Sequence, residues 1–437
     1  PAQTARARAL ASASGSGVKL LEDSFEELAA RPNLPEFDMI TLHGIWSWIS
    51  PENRHFIIDI IRRKLRPGGI LYISYNTSPG WQAAAPFQQL LKMHARFAGT
   101  ETTGIAAKAK NALDFAAKLR EVGALYFKNV PEAGARLDEM LTKDMTYVAH
   151  EFFNEHWTPM AFTEVARDLE QAKLDFVSSA ILREQISGFA LSEAARDLLA
   201  GIENPVFNQY IRDFLFNRRF RRDIFVKGAR ALTASERLEL LLTQHIALVQ
   251  HPDEMQPNIP GAKASVREPP FQTVIDALME DKFRPKTIGE LASHPKLLSA
   301  GPTAVFNTIR MLNGPGYVSA AQQPSKDVQR FSSGFNMHVY KAAQHKGDMK
   351  FVASPVIGGG IFIPQSQQLF LLATKQGIKD PAEQAKFVMR APAFHNTRLT
   401  REGKRLESAE ENLAEWTRRA AEFGNKRLPM LSALGLI

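Results

Sequence analysis

Cysteine is absent from all 437 residues. That excludes disulfides, thiolate metal sites and cysteine nucleophiles, and makes a cytoplasmic location the expectation. Long apolar runs are missing too: none reaches the roughly 18 to 20 residues that cross a bilayer. The opening stretch, 1–13, lacks the apolar centre of a secretory signal, so no membrane insertion is expected. Acidic residues number 46 against 54 basic ones, a formal charge of +8. Over this length that excess makes a weak field, and a solvated basic surface accounts for it without a nucleic acid. His150, Glu151 and His156 do not have the His-Glu-x-x-His spacing. The two histidines fall on different helical faces, and no metal is expected. Gly358-Gly359-Gly360 lacks the Lys-Ser/Thr of a phosphate-cradling loop and reads as a turn between strands. There is no internal repeat.

What remains is an ordinary globular composition, 44% hydrophobic and 23% charged, enough for about three domains. Gln3–Ala13 is helix-forming and stops at Ser14-Gly15-Ser16-Gly17. Val18–Leu21 is expected as a short strand, Phe25–Ala30 as a helix and Phe37–Leu42 as a second strand. Pro51–Leu65 is helical, with Phe56, Ile57, Ile60 and Ile61 on one face. Arg66-Pro67-Gly68-Gly69 reads as a turn into a buried strand, Ile70–Tyr75. Strands separated by helices imply a parallel, doubly wound α/β sheet. Phe87 to Ala200 is mostly helical, interrupted by an extended stretch, Leu174–Ala180.

Phe207–Phe225 is rich in aromatics and arginine, and Arg218, Arg219, Arg221 and Arg222 are expected on the solvated face of an amphipathic helix. Ser235–Val249 reads as another helix. His251–Pro270 holds five prolines and reads as a linker. Helices from Phe271, over Thr287–Leu291 and over Thr303–Leu312 precede a Gly314-Pro315-Gly316 turn and a strand, Tyr317–Ser319. That order suggests a winged-helix-like module. Leu428–Ile437 is apolar enough to pack back on a core.

Several segments carry a resemblance. Leu65-Arg66-Pro67-Gly68-Gly69-Ile70-Leu71-Tyr72-Ile73-Ser74 resembles the approach to the fifth strand of class I S-adenosylmethionine-dependent methyltransferases. Glu36-Phe37-Asp38-Met39-Ile40 looks like the start of the fourth strand, and Leu20-Leu21-Glu22-Asp23-Ser24 like the end of the third. His43-Gly44-Ile45-Trp46-Ser47-Trp48-Ile49 and Ser74-Tyr75-Asn76-Thr77-Ser78-Pro79-Gly80-Trp81 are similar to blocks of the members that carry a methyltransferase regulatory domain. So are Tyr147–Phe153 and Asp213–Arg222. Some of those members are bacterial protein-lysine methyltransferases.

The resemblance implies a partial Rossmann-like class I sheet in 1–142, a helical regulatory domain in 143–250, a linker over 251–270 and a C-terminal region, 271–437, with the winged-helix-like module. It implies S-adenosylmethionine as cofactor and a protein lysine as acceptor. The family's glycine-rich strand-turn-helix has no counterpart here, because Gly15 and Gly17 follow a helix and precede the expected strand. The sequence therefore reads as beginning after the second family strand, with weakened cofactor binding as the expectation.

The resemblance also assigns residues. Asp23, with Ser24, is placed to accept from the adenine amine; the alternative for Ser24 is a helix N-cap. His43 and Gly44 would approach the cofactor at a strand's carboxyl end. Tyr75 and Asn76 are the expected catalytic pair, orienting the acceptor amine; the alternative is a polar strand-end turn. Trp46, Trp48 and Trp81 would wall the acceptor pocket or pack in the core. Three other readings stay open: a small-molecule methyltransferase, a winged-helix nucleic-acid-binding regulator and a non-catalytic family member. Helix Pro302–Asn313 carries a single cation, Arg310, which argues against DNA reading. A homodimer is compatible with the sequence.

Overall fold

In the computed structural model, which describes residues 2–98, 104–186, 190–259, 264–395 and 397–437, the apolar stripe after Pro51 becomes the helix Pro51–Lys64. Ser50 starts it by accepting from the Asn53 N–H at 3.2 Å, Pro51 sits where no N–H is needed, and Arg62, Arg63 and Lys64 close it. Its Ile57, Ile58 and Ile61 are buried in one core with Leu71 and Ile73.

The chain divides into two units, residues 23–231 and residues 1–22 with 232–437. The first holds a four-stranded sheet made of β1 (Phe37–Leu42), β2 (Leu65–Asn76), β3 (Leu174–Ser179) and β4 (Phe220–Lys227), in the order β1-β2-β4-β3. Only β1 and β2 are parallel; β4 runs antiparallel to both β2 and β3, which corrects the all-parallel expectation. Arg218–Arg222 do not extend a helix, as expected from their composition. The helix Pro205–Leu215 ends before Asn217, whose φ is +42°, and Arg221, Asp223 and Phe225 then alternate inward along β4. Arg66–Gly69 are not a turn ahead of the strand. They bulge within β2, between the pairs Phe37 with Leu65 and Met39 with Ile70. Val18–Leu21 forms no strand; four residues with Val18 and Leu21 exposed gain no ladder partner. After β2, the helices Ala85–Phe97, Ile105–Glu121, Pro131–Leu141 and Met145–Phe152 bury Phe87, Leu91, Leu113, Leu137 and Val148 in a core of their own.

In the second unit, β5 (His245–Leu248), β6 (Lys286–Thr287) and β7 (Val318–Ala321) form an antiparallel sheet in the order β6-β5-β7. The expected helix Ser235–Val249 is a shorter helix, Ala234–Leu242, followed by β5. Helices Phe271–Phe283, Ile288–Ala292 and Gly301–Asn313 and the strand after the Gly314–Gly316 turn follow the expected order. The described part of 251–270 buries Met255, Ile259 and Val266, so this proline-rich segment is packed and does not hang free. β8 (Phe351–Ser354) and β9 (Gly359–Phe362) form a hairpin, with Gly358 in the turn at φ +63°. The helix Leu428–Ala433 buries Met430 and Leu431, and Leu434 and Leu436 follow them into the core. Among the described residues, no helix is long and apolar enough to cross a membrane.

Gly80 marks the tightest approach in the first unit. Its N–H donates to the Arg218 carbonyl at 3.0 Å, and a Cβ there would collide with the Asn217 and Arg218 backbone. Backbone on both sides cannot give way as a side chain would. Gly80→Ala is expected to lower the unfolding free energy by about 1 to 3 kcal/mol, read from urea denaturation. An unchanged midpoint would show that this junction is loose.

Candidate functional site at the carboxyl edge of the parallel strand pair

β1 and β2 end side by side, with Leu42 opposite Ile73. Ligands of open α/β sheets gather outside such carboxyl ends. Beyond β1 the chain turns at Gly44, whose φ of +64° favours glycine, and among the described residues no atom beyond its two chain neighbours lies within 4 Å of where its Cβ would stand. The Gly44 N–H donates to Ser74 Oγ at 2.8 Å. His43 is exposed; its Nδ1 lies 3.0 Å from Tyr72 Oη and 3.4 Å from Ser74 Oγ, and its ring stacks on Tyr72 at 5.9 Å. Arg222 pairs in register with Ser74 and shares that face of the sheet. Neither Tyr72 nor Ser74 stood out in the sequence. The available signal was the two-residue period of the strand, which sends 72 and 74 to the face opposite 71, 73 and 75.

The end of β2 is held by backbone. The Asn76 N–H donates to Ser47 Oγ at 2.8 Å and the Asn76 carbonyl accepts from Met160 at 3.1 Å. The Thr77 hydroxyl donates to the Met160 carbonyl at 2.7 Å, and the Thr158 N–H to the Ser47 carbonyl at 2.9 Å. Asn76 is buried at this junction. Of the three tryptophans expected at a pocket wall, Trp46 is fully buried in the core. Trp48 is half-buried, and so is Trp81, which packs edge-on against Trp157 at 5.2 Å beneath the Arg136 guanidinium at 4.7 Å.

Tyr75 points the other way. Its hydroxyl donates to Asp223 Oδ2 at 2.7 Å, in the core. Arg221 Nε donates to the same oxygen at 2.7 Å, and Arg221 Nη1 to Asp213 Oδ1 at 2.7 Å. The Arg221 guanidinium lies 4.2 Å above the Phe162 ring. Burial, and then the Asp223 charge, push the Tyr75 phenol well above its ordinary value, so it stays protonated. The hydroxyl expected to face an acceptor amine is therefore a core hydrogen-bond donor.

Ser24 caps the helix Phe25–Ala30. Its hydroxyl accepts from the Glu27 N–H at 3.1 Å, while Glu27 reaches back to the Ser24 N–H at 2.7 Å. Asp23 binds Arg31 through both carboxylate oxygens, and that hydrogen bonding holds its pKa below the usual value. Among the described residues no hydrogen bond, ion pair or ring contact joins Asp23 or Ser24 to His43 or Gly44.

The family model described as "Predicted methyltransferase regulatory domain" matches residues 144–227. An uncharacterized protein of Synechocystis, sll1526, is 36% identical over 441 residues, covering 100% of this chain and 85% of its own length. The chain belongs to the family of methyltransferases that carry this regulatory domain. A Rickettsia prowazekii protein, RP028, is 31% identical over 120 residues, 28% of this chain and 47% of its own. The fold is shared with PKMT2 from Rickettsia typhi, solved in complex with AdoHcy. The TM-score is 0.68 at 17% identity, over 98% of this chain and 86% of that one.

Asp213 gives this family member a pH signature. Burial pushes its pKa up to about 6 against the opposing pull of Arg221 and Arg218. A carboxyl raised on folding binds its proton in the native state first, so its contribution to stability grows as pH falls from about 7 towards 4. Asp213→Asn is expected to flatten the stability–pH curve in that window by up to about 3 kcal/mol, measured by denaturant titration at several pH values. An unaltered curve would mean that Asp213 keeps an ordinary pKa.

Proposed function

We propose that this chain transfers a methyl group from S-adenosylmethionine to lysine side chains of proteins, at the carboxyl edge of β1 and β2. The observation that carries this reading is Gly44: a positive-φ glycine with open space around it, at the end of a parallel strand, lets backbone approach a ligand closely. The related fold of PKMT2, whose structure holds AdoHcy, supports the donor class. The residues present fit the donor at this edge. The 43–44 backbone would lie against it, and the Asp23 carboxylate, with lone pairs beyond those Arg31 occupies, is the assigned acceptor for the adenine amine. When bound, S-adenosylmethionine supplies a methyl group already activated by its sulfonium.

The chain's own work is to position the acceptor and exclude water. Asn76 at the β2 end and the half-buried Trp48 and Trp81 are assigned to the acceptor side, where aromatic faces suit a cationic side chain. Tyr75 supports them from beneath by fixing β2 to β4. Residues 265–325 are assigned to a winged-helix-like module that makes protein contacts. Arg310, the single cation of its third helix, lays its guanidinium 5.1 Å over Phe306, and one cation is few for a helix that reads DNA.

Two measurements test this reading. Calorimetry with S-adenosylmethionine should show Gly44→Val binding at least about tenfold more weakly, on the order of 1.4 kcal/mol, with the fold intact by circular dichroism. Mass spectrometry of a lysine-rich protein incubated with the donor should find methylated lysines. Equal affinity in Gly44→Val would move the donor site elsewhere, and transfer confined to small amines would replace the protein acceptor.

A further inference from the structure

A lysine side chain reaches any active site as an ammonium, with no lone pair to attack a methyl carbon. Some group at the edge of β1 and β2 must take that proton or pass it to water. Most of the titratable groups nearby are committed. The Tyr75 phenol is sealed in the core and already protonated, and Asp213 and Asp223 are buried with it around Arg221. The Asp23 carboxylate is held by Arg31. Arg222, facing the edge from β4, is a cation and cannot accept a proton.

His43 is different. It is exposed, makes no ion pair among the described residues, and is fixed through one ring nitrogen only: Nδ1 faces Tyr72 Oη at 3.0 Å and Ser74 Oγ at 3.4 Å. Ser74 is itself oriented by the Gly44 N–H at 2.8 Å, and the imidazole stacks on the Tyr72 ring. With Nδ1–H donating to those oxygens, Nε2 keeps its lone pair and points away from them. An imidazole held by one nitrogen and free at the other is the arrangement of a directed base.

We propose that His43 is the proton acceptor for the methyl-accepting amine, with Tyr72 and Ser74 as its positioning residues. This rests on the methyl-transfer reading above and deepens it: the 43–44 backbone serves the donor while the imidazole serves the acceptor. The step balances. Nε2 takes one proton from the lysine ammonium, the freed amine forms its bond to the methyl carbon, and the carbon–sulfur bond breaks with its electron pair left on sulfur. The product is a methylated ammonium, and the imidazolium returns its proton to solvent.

The test is the pH profile of single-turnover methyl transfer to a lysine-containing peptide, together with nitrogen NMR of the His43 ring in the donor-free protein. The wild-type rate should rise with pH through a single ionisation. His43→Gln should lose that limb and fall about 10²- to 10⁴-fold at neutral pH, with part of the rate recovered at higher pH, while donor affinity by calorimetry stays unchanged. Tyr72→Phe and Ser74→Ala should move the ionisation and lower kcat with little effect on the peptide KM. In the NMR spectrum, the neutral ring should carry its proton on Nδ1, and less so in Tyr72→Phe.

A normal rate and pH profile in His43→Gln, or a neutral ring protonated on Nε2, would overturn the assignment. Loss of donor affinity in His43→Gln without a change of profile would return the residue to the donor side. A wild-type protein that binds S-adenosylmethionine but methylates no amine at any pH would instead sink the reading underneath.

Discussion

The first unit is held at its centre by Arg221. This guanidinium sits between Asp213 and Asp223, over the face of Phe162, and Asp223 in turn receives the Tyr75 hydroxyl. Two carboxylates, one guanidinium and one phenol thus tie β2, β4 and the helix Pro205–Leu215 together. Buried charges of this kind are weak evidence for net stability, because desolvation offsets much of the attraction. Their effect is geometric: removing one partner strands another charge in the core, which favours the strand register in which these groups meet. Asp213 Oδ2 is left without a hydrogen-bond partner even so, and burial, with the nearby Asp223 charge, raises the pKa of this carboxyl.

That clamp decides which face of β2 is committed to this core. It occupies the face of Leu71, Ile73 and Tyr75, and fills it with core. The opposite face is left to Tyr72 and Ser74, and there the chain beyond β1 delivers His43. A strand has no third direction, so the assignment is binary. Once Tyr75 is the inward donor, the group beside His43 must come from an even-numbered position. Ser74 meets this by serving two neighbours, accepting from Gly44 while facing the His43 ring.

What could be read from the sequence divides along the same line. Local signals held: Pro51 opens its helix, Phe37–Leu42 is a strand to the residue, and Gly358 turns a hairpin. Signals that depend on a distant partner did not. Arg218–Arg222 look like a basic helical face because nothing nearby reveals that Arg221 and Asp223 will meet Tyr75 some 150 residues upstream, a separation of 148 for the Asp223 bond. Val18–Leu21 has the composition of a strand, but a strand exists only by pairing. Tyr75 was legible as a strand-end residue and its direction was not, because position along a strand and side of a sheet are separate facts. The alternation that fixes the side was in the sequence, in Leu71-Tyr72-Ile73-Ser74-Tyr75, but the apolar residues at 71 and 73 gave it meaning only once the buried face was known.

The matched regulatory segment, 144–227, is not an appendage to this sheet. It supplies β3 and β4, half of the four strands, and β4 is the neighbour of β2 over the whole run from Ile70 to Asn76. The backbone beyond Asn76 is bonded to the same segment again, through Met160 and Arg219. Any displacement of β4 must therefore either carry β2 with it or break the Tyr75–Asp223–Arg221 contacts, and a displaced β2 takes Tyr72 and Ser74 away from His43. Packed elements of this kind shift between discrete arrangements and do not deform continuously. A shift within 144–227 is therefore transmitted to the end of β2 with no intervening element, because β4 is bonded directly to β2 as far as Asn76.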